Sequence, residues 1–434
     1  MADVDEGFAA RGSLRAREDR NMNDLEAWRS VQLPVGEEVL TIRVPHSVIT
    51  IEDGTAGVDK PKEELGASLW RALEHPIDYP PLATAFVRGD RIVLAVEPGV
   101  PQVEAVLGEV VAYLLDHGVE DGQLTILLHS ANAWLVEPLA NQFAERFESS
   151  VEVCLHHEQD QEGMGYLAAD QHAEPIYIDR RLLEADLVLP ISCARDPQSW
   201  AYAGLYGIVP WFTDQKTQQR WRADSVKLGQ AAVAPRLRIA REVAWLLGIQ
   251  PVLAIVPGPE GAIERFFFGQ VERIEKVIEE SGFTSCVREP LQPVDLLVTT
   301  IDGDRTEQNW DNVARVLFLA EHFLSPSGSV AIITDLDQAP GAAFRWLSSP
   351  ETTASAERHL LKSHHPHALA AIEILRAKSC HRLYLMSRLP AEQVEEWGIT
   401  PIHDPTELER LVRAHAASMI IRGAQHRRLE RSKS

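Results

Sequence analysis

What the chain lacks narrows its function before any motif is considered. It has four cysteines in 434 residues, Cys154, Cys193, Cys286 and Cys380, and no two of them form a C-x-x-C pair. That spacing speaks against a disulfide framework and against a cysteine-rich zinc site, and it suits a reducing cytoplasm. Positive charge is also scarce: 42 Lys and Arg stand against 64 Asp and Glu, a formal net charge of −22. Such a surface repels phosphate backbones and anionic headgroups, so neither nucleic acid nor a membrane is an expected partner. No apolar run approaches the roughly 20 residues that span a bilayer. The opening "MADVDEGFAARGSLRAREDRN" has no apolar core of the kind a signal peptide needs. Missing too are G-x-G-x-x-G after a strand, G-x-x-x-x-G-K-[ST] and G-x-S-x-G, which removes two nucleotide cradles and the hydrolase elbow.

What is present is apolar and periodic. At 45% hydrophobic content the chain has material for a large core, and its length suits two domains. Residues 1–35 are charged and without apolar periodicity, and read as a disordered tail. From "VLTIRVP" onward, runs of Val, Ile and Leu alternate with helical patterns, which predicts an α/β protein of βαβ units around mainly parallel sheets. The clearest unit is "DRIVLAV", the helix "PQVEAVLGEVVAYLLDHG", then "QLTILLH". Val103, Val106, Leu107, Val110, Val111 and Leu114 share one helical face, and Gly118 is placed to stop the helix. A buried strand follows at about Asp186 to Ile191. Near residues 270–290 the pattern restarts with "VERIEKVIEESG", and a second βαβ unit follows as "VDLLVTT", "TEQNWDNVARVLFLAEHFL" and "GSVAIIT". The expected division is therefore an α/β domain over 36–275, a second α/β domain over 276–422 with a cleft between them, and a polar tail over 423–434.

Ligands of parallel sheets bind beyond the carboxyl ends of the strands. That rule selects "EPGVP" after Val96, "SANA" after His129, "CARDPQSW" after Ile191 and "IDGDRTEQN" after Thr300. His129 is either an acid/base residue or a satisfied histidine at a strand end. His156, His157 and His172 offer imidazoles but no recognisable metal-ligand spacing, so no metal site is assigned. "HHPH" (His364, His365 and His367) reads as the solvated start of a helix. "IDGDR" lacks the further oxygen ligands of an EF-hand and reads as a turn.

The order of "RALEHPIDYPPLATAFVRGDRIVLAVEPGVPQ", "LTILLHSA", "HHEQD", "EPIYIDRRLLEADLVLPIS", "DPQSWAYAG" and "VDLLVTTIDGDRTEQNWDNVARVLFLAEHFLSPSGSVAII" resembles the lactate racemase family. The similarity spans roughly residues 36–340. The family's members are two-domain α/β isomerases of 2-hydroxy acids, and their cofactor is a nickel-pincer nucleotide. The cofactor takes a hydride while two histidines on opposite faces of the substrate carbon move the hydroxyl proton.

The resemblance implies that His129 is one of these catalytic histidines and His172 the other. It puts the lysine that tethers the cofactor at Arg181, and the nickel histidine of E-P-H-x-x-A-G at Gln198 or Trp200. The D-x-T-R-P-x-P pattern falls on Ala95 to Pro101 without its aspartate or arginine, and the G-G-R-K run becomes "LYGIVPW". A glutamine and lysine three apart become Asn312 and Arg315, which keep an amide and a cation for a substrate. The cofactor itself is left unassigned, because an always-charged guanidinium does not form the lysine's bond.

Three classes of function follow. One is a racemase or epimerase of a small 2-hydroxy acid. Another is an inactive relative holding a small anionic ligand in the interdomain cleft, with Arg181, Arg305 and Arg315 as candidate anion binders. The third is a partner-binding protein using Trp200, Tyr202, Tyr206, Trp211 and Phe212, although these aromatics would equally fill a space left by a cofactor.

Overall fold

The computed structural model describes residues 28–36, 38–51, 64–120, 122–147, 151–195, 197, 199–228, 233–281, 286–288, 290, 292–363 and 365–430. Two six-stranded sheets organise the chain. In the first, the order is β11 (Ile263–Gln270), β10 (Pro251–Pro257), β9 (Leu187–Cys193), β4 (Ile92–Val96), β5 (Leu124–Leu128) and β6 (Glu152–Leu155). All its pairings are parallel except β10 with β11. In the second, the order is β16 (Thr400–Pro401), β15 (Arg382–Met386), β14 (Leu324–Ile333), β13 (Val294–Thr300), β17 (Ser418–Ile421) and β3 (Ile49–Ile51), parallel throughout. Both sheets carry helices, as expected of strands that are continuous apolar runs buried on both faces.

The expected βαβ unit forms as β4, the helix Val103–Asp116 and β5. The six apolar residues that share one face of that helix are all buried. Gly118 takes φ +94° just past the helix end, a conformation that a β-carbon would strain. The restart near residue 270 is the helix Val271–Ser281, whose Val271, Ile274 and Ile278 pack in the core of the first sheet with Val252 and Ala254. That helix therefore sits with the first sheet, and the crossing to the second comes after it.

Two expectations fail at the ends of the chain. The segment read as part of a disordered tail contains β1 (Trp28–Val35), which pairs antiparallel with β2 (Glu38–Pro45). Val31 and Leu33 point inward and join Ile42 and Val44 against Val298, Ala331 and Ile420 of the second sheet. A period-2 signal this short is overwhelmed by the charged residues before it. The same correction moves β3 to the edge of the C-terminal sheet, so residues 36–51 do not belong with the first sheet. At the other end, the polar tail folds back: β18 (Arg428–Glu430) pairs parallel with β12 (Cys286–Arg288), and Gln425 and Arg427 are buried.

A hairpin of β7 (Met164–Ala169) and β8 (Pro175–Asp179) lies between β6 and β9 in the chain. Outside the hairpin, the carboxyl ends of β4, β5 and β9 face those of β13, β14 and β17. The two rims touch directly: the Gln102 backbone N–H donates to Asp304 Oδ2 at 2.9 Å, and Thr306 Oγ1 donates to the Val100 carbonyl at 3.1 Å. No helix among the described residues is long and apolar enough to cross a membrane.

Candidate functional site

The rims enclose a cleft lined from one side by Gly99, Asn132 and Trp134 and from the other by Arg305, Arg315 and His367. Its space is about 550 Å³ counted out to the solvent opening. Gly99 lies here with φ +79°, and a β-carbon on it would come within 3.1 Å of Arg195 Nη2. The backbone passes this close because the Arg195 guanidinium reaches across to the Gly99 carbonyl on the same rim.

On the N-terminal rim the charges are spent on each other. Glu97 follows β4 and Arg195 follows the adjacent strand β9. They form an ion pair of 2.6 Å, and both side chains are 5% exposed. Arg195 Nη2 also donates to the Gly99 carbonyl at 3.0 Å, while Glu97 Oε2 accepts the Cys193 backbone N–H at 3.1 Å. Burial raises the Cys193 thiol to about 12, so it is not a nucleophile. A second closed network lies beneath the hairpin. Arg181 grips Asp179 with Nε at 2.8 Å and Nη2 at 2.7 Å, and Nη2 also donates to the Leu155 carbonyl at 2.9 Å. Burial pushes the Asp179 carboxyl up, but the hydrogen bonds from Arg181 and His156 outweigh it and hold it at about 2. His156, fully buried, faces Asp179 Oδ2 through Nδ1 and the Thr213 carbonyl through Nε2, each at 3.0 Å.

His129 caps the turn after β5. Its Nδ1 accepts the Ala131 backbone N–H at 3.2 Å, so the neutral ring carries its proton on Nε2. The edge of Trp211 packs against it, with ring centroids 5.4 Å apart. Desolvation, reinforced by the charges of His156, Arg222 and His367, lowers its pKa to about 3. A base this weak is poorly matched to proton transfer near neutral pH.

The C-terminal rim is different. Asn309 caps the helix Trp310–Ala320 by accepting the Asn312 N–H at 2.9 Å. Asn312 then donates to the Glu307 carbonyl at 2.7 Å and accepts Arg315 Nη1 at 2.6 Å. That locks the guanidinium against the cleft, where it lies 5.9 Å from the Trp200 ring centroid. Arg315 is buried, its Nε has no acceptor, and no carboxylate among the described residues stands within ion-pair distance. Desolvation lowers it to about 10, with Arg195 pressing the same way and Asp311 opposing. Asn132 Nδ2, across the cleft, is likewise buried without an acceptor. Arg305 stands at the mouth, half exposed, over the Trp134 ring at 4.9 Å and 3.4 Å from Asp337.

The candidate residues are thus not all together. Arg315, with Asn312 behind it, belongs to the cleft, and His129 lies just under its wall. His172 does not: it is exposed in the β7–β8 turn, where the Asp170 carboxylate accepts its backbone N–H at 2.8 Å. The pairing of His129 with His172 is withdrawn, because the hairpin carries His172 out on a turn held by its own hydrogen bonds. Arg181 is fully engaged by Asp179. Gln198 lies outside the described residues, as does His364. Trp200 packs against the cores of both sheets, with its indole facing Glu373. The aromatics offered as an interface are inside the protein: Tyr202, Tyr206 and Phe212 are buried, and Trp200 and Trp211 partly so. His367, expected in solvent, lines the cleft with its pKa lowered by burial.

Glu97, Arg195 and Asn132 are not singled out by the sequence, and His367 is read there only as a solvated helix start. An acid and a base at the ends of two predicted strands were the available signal for the first two, once those strands are known to be neighbours. Among the described residues no group of three or more His, Cys, Asp or Glu side chains is placed to hold a metal ion. With Arg181 bound to Asp179 and an indole rather than an imidazole at position 200, the residues present do not fit a lysine-tethered nickel cofactor.

Comparison with known proteins agrees with this architecture. Residues 35–204 match the family model of the lactate racemase N-terminal domain. The lactate racemase apoprotein from Thermoanaerobacterium thermosaccharolyticum has the same fold, with a TM-score of 0.68 at 16% identity, covering 93% of this chain and 100% of that one. A protein from Thermotoga maritima also superimposes, with a TM-score of 0.59 at 12% identity over 84% of this chain and 97% of that one. No curated protein sequence matches the chain. Residues 35–204 thus resemble the lactate racemase N-terminal domain, and the chain as a whole shares the α/β fold of the lactate racemase apoprotein.

Proposed function

We propose that the chain binds a small carboxylate in the cleft between its two sheets and does not interconvert stereoisomers by a two-histidine route. The observation that carries this reading is Arg315, a buried guanidinium facing the cleft with a free Nε–H and no carboxylate partner among the described residues. A ligand that only accepts hydrogen bonds would satisfy it together with Asn132 Nδ2. The match to the lactate racemase N-terminal domain supports a ligand of 2-hydroxy acid size. His129, neutral and tied to Ala131, then contributes an Nε2–H donor or a wall rather than a base.

A second reading keeps the isomerase chemistry and replaces His172 by His367, the imidazole that lines the cleft from the C-terminal side. One set of measurements separates the two. Thermal shift with lactate, malate and glycolate reads binding, since a ligand specific for the folded chain stabilises it by about 2.7 kcal/mol at a hundredfold excess over Kd. Wild type should shift, and Arg315→Met, which keeps the bulk and removes the donors, should lose the shift by at least roughly tenfold in apparent affinity. Chiral analysis of single-enantiomer lactate and malate after incubation should show no loss of optical purity. Racemisation abolished by His367→Asn would establish the second reading; no shift with any acid would remove the first.

A further inference from the structure

Trp200 also borders a second interdomain cavity, of about 520 Å³ counted to its opening. Val226 and Arg236 line it from the N-terminal side, and Phe318, Ile372 and Glu373 from the C-terminal side. Glu373 is 5% exposed and sits on the helix Ala368–Cys380. The Trp200 indole faces its carboxylate and favours the charged form. The nearest cation on its own helix, Arg376, is already held by Glu357, with Nε to Oε1 at 2.8 Å and Nη2 to Oε2 at 3.3 Å. Burial first, and then the negative charge of Glu321, raise the Glu373 carboxyl to about 7. Across the cavity Arg236 is buried, with Nη1 donating to Ser225 Oγ at 2.6 Å and its guanidinium over the Trp221 ring at 4.9 Å.

Arg376, engaged by Glu357, offsets the Glu373 charge only in part, and a buried carboxylate with no partner within ion-pair distance among the described residues is relieved by a cation entering the cavity it faces. Beside Ser199, Ser225, Arg236 and Arg376 the walls are aromatic and aliphatic, so a fully hydrated ion is poorly suited, whereas an alkylammonium gains both the charge contact and apolar burial. We propose that this cavity binds a small apolar molecule carrying a primary ammonium, its nitrogen against Glu373 and its body against Trp200, Phe318 and Ile372. Two sources share that chemistry: a simple amine, and an apolar amino acid whose carboxylate turns toward Arg236. The site is independent of the anion cleft, although Trp200 touches both through Arg315 and Glu373.

Isothermal titration of the full chain at about pH 8, where Glu373 is ionised, tests the proposal with isopentylamine, L-leucine and 4-methylpentanoate. Isopentylamine should bind wild type at least about tenfold more tightly than Glu373→Gln, the loss expected when a charged hydrogen-bond partner is neutralised. L-leucine binding more tightly than isopentylamine, with the gain lost in Arg236→Met, identifies the amino-acid source. Equal or weaker L-leucine binding identifies the bare amine. The proposal is overturned if isopentylamine binds Glu373→Gln as well as wild type, if 4-methylpentanoate binds as tightly as the amine, or if no amine binds at about 10 mM, an affinity too weak to be specific. A melting transition for Glu373→Gln at the same pH shows that the variant is folded when the titration is made.

Discussion

The two rims of the cleft carry similar residues in opposite conditions. On the N-terminal rim, Arg195 faces Glu97, and below it Arg181 faces Asp179; each guanidinium has its carboxylate. On the C-terminal rim, Arg315 is as deeply buried as Arg195, yet an amide rather than an acid steadies it. A buried charge with a built-in partner is a structural fastening, and one without a partner is unfinished until something else arrives. The first rim therefore holds the loops in place, and the second is where a ligand's charge belongs.

The largest effect should come from breaking the fastening. Glu97→Ala leaves Arg195 buried and uncompensated, and should cost about 3–5 kcal/mol in denaturant unfolding, while Glu97→Leu with Arg195→Met should recover most of that loss. If the single variant costs no more than a surface change, the contrast between the rims fails.

The next effect is tied to pH. The folded pKa of His129, about 3, lies below its ordinary value of 6.5, so the unfolded chain binds the proton more readily. Stability is then full above about 6.5 and is lost as pH falls toward 3. His129→Asn, which can still accept the Ala131 N–H, should remove that part of the acid sensitivity, worth about 3 kcal/mol near pH 4.5 at 1.36 kcal/mol per pH unit. Parallel melting curves for wild type and variant at pH 4.5 and 7.5 check it; no convergence toward low pH would mean that His129 is not held neutral. The smallest effect belongs to Arg305→Ala. Losing the guanidinium over Trp134 at the half-exposed mouth should cost about 0.5–1 kcal/mol, and should slow acid binding by reducing the attraction at the entrance.

Much of the scaffold could be read in the sequence because it rests on local periodicity. The face of Val103 to Leu114, the run at Val294–Thr300 and the stop at Gly118 are signals contained within a few turns or strands. His129 could be placed at a strand end for the same reason. What escaped depends on which strands are neighbours. Glu97 and Arg195 meet only because β4 and β9 are adjacent, and His156 meets Asp179 only after the hairpin folds back. His172 was misplaced because similarity in segment order carries no information about how far a hairpin projects. Val31 and Leu33 went unseen because their alternation spans a single short strand, and their core is supplied by residues hundreds of positions later.

The position of β3 has a consequence for how the protein is made. Ile49–Ile51 is synthesised long before its partner strand among the described residues, β17, which lies about 370 residues later. The C-terminal sheet therefore closes late, over a contact order that favours slow completion. Until then the early strand needs protection from other chains. Expressing the C-terminal half alone would leave Met419–Ile421 as an open edge, an adhesive surface for a second molecule. Fusing the β1–β3 segment after residue 430 through a flexible linker would instead supply the missing strand from the other end.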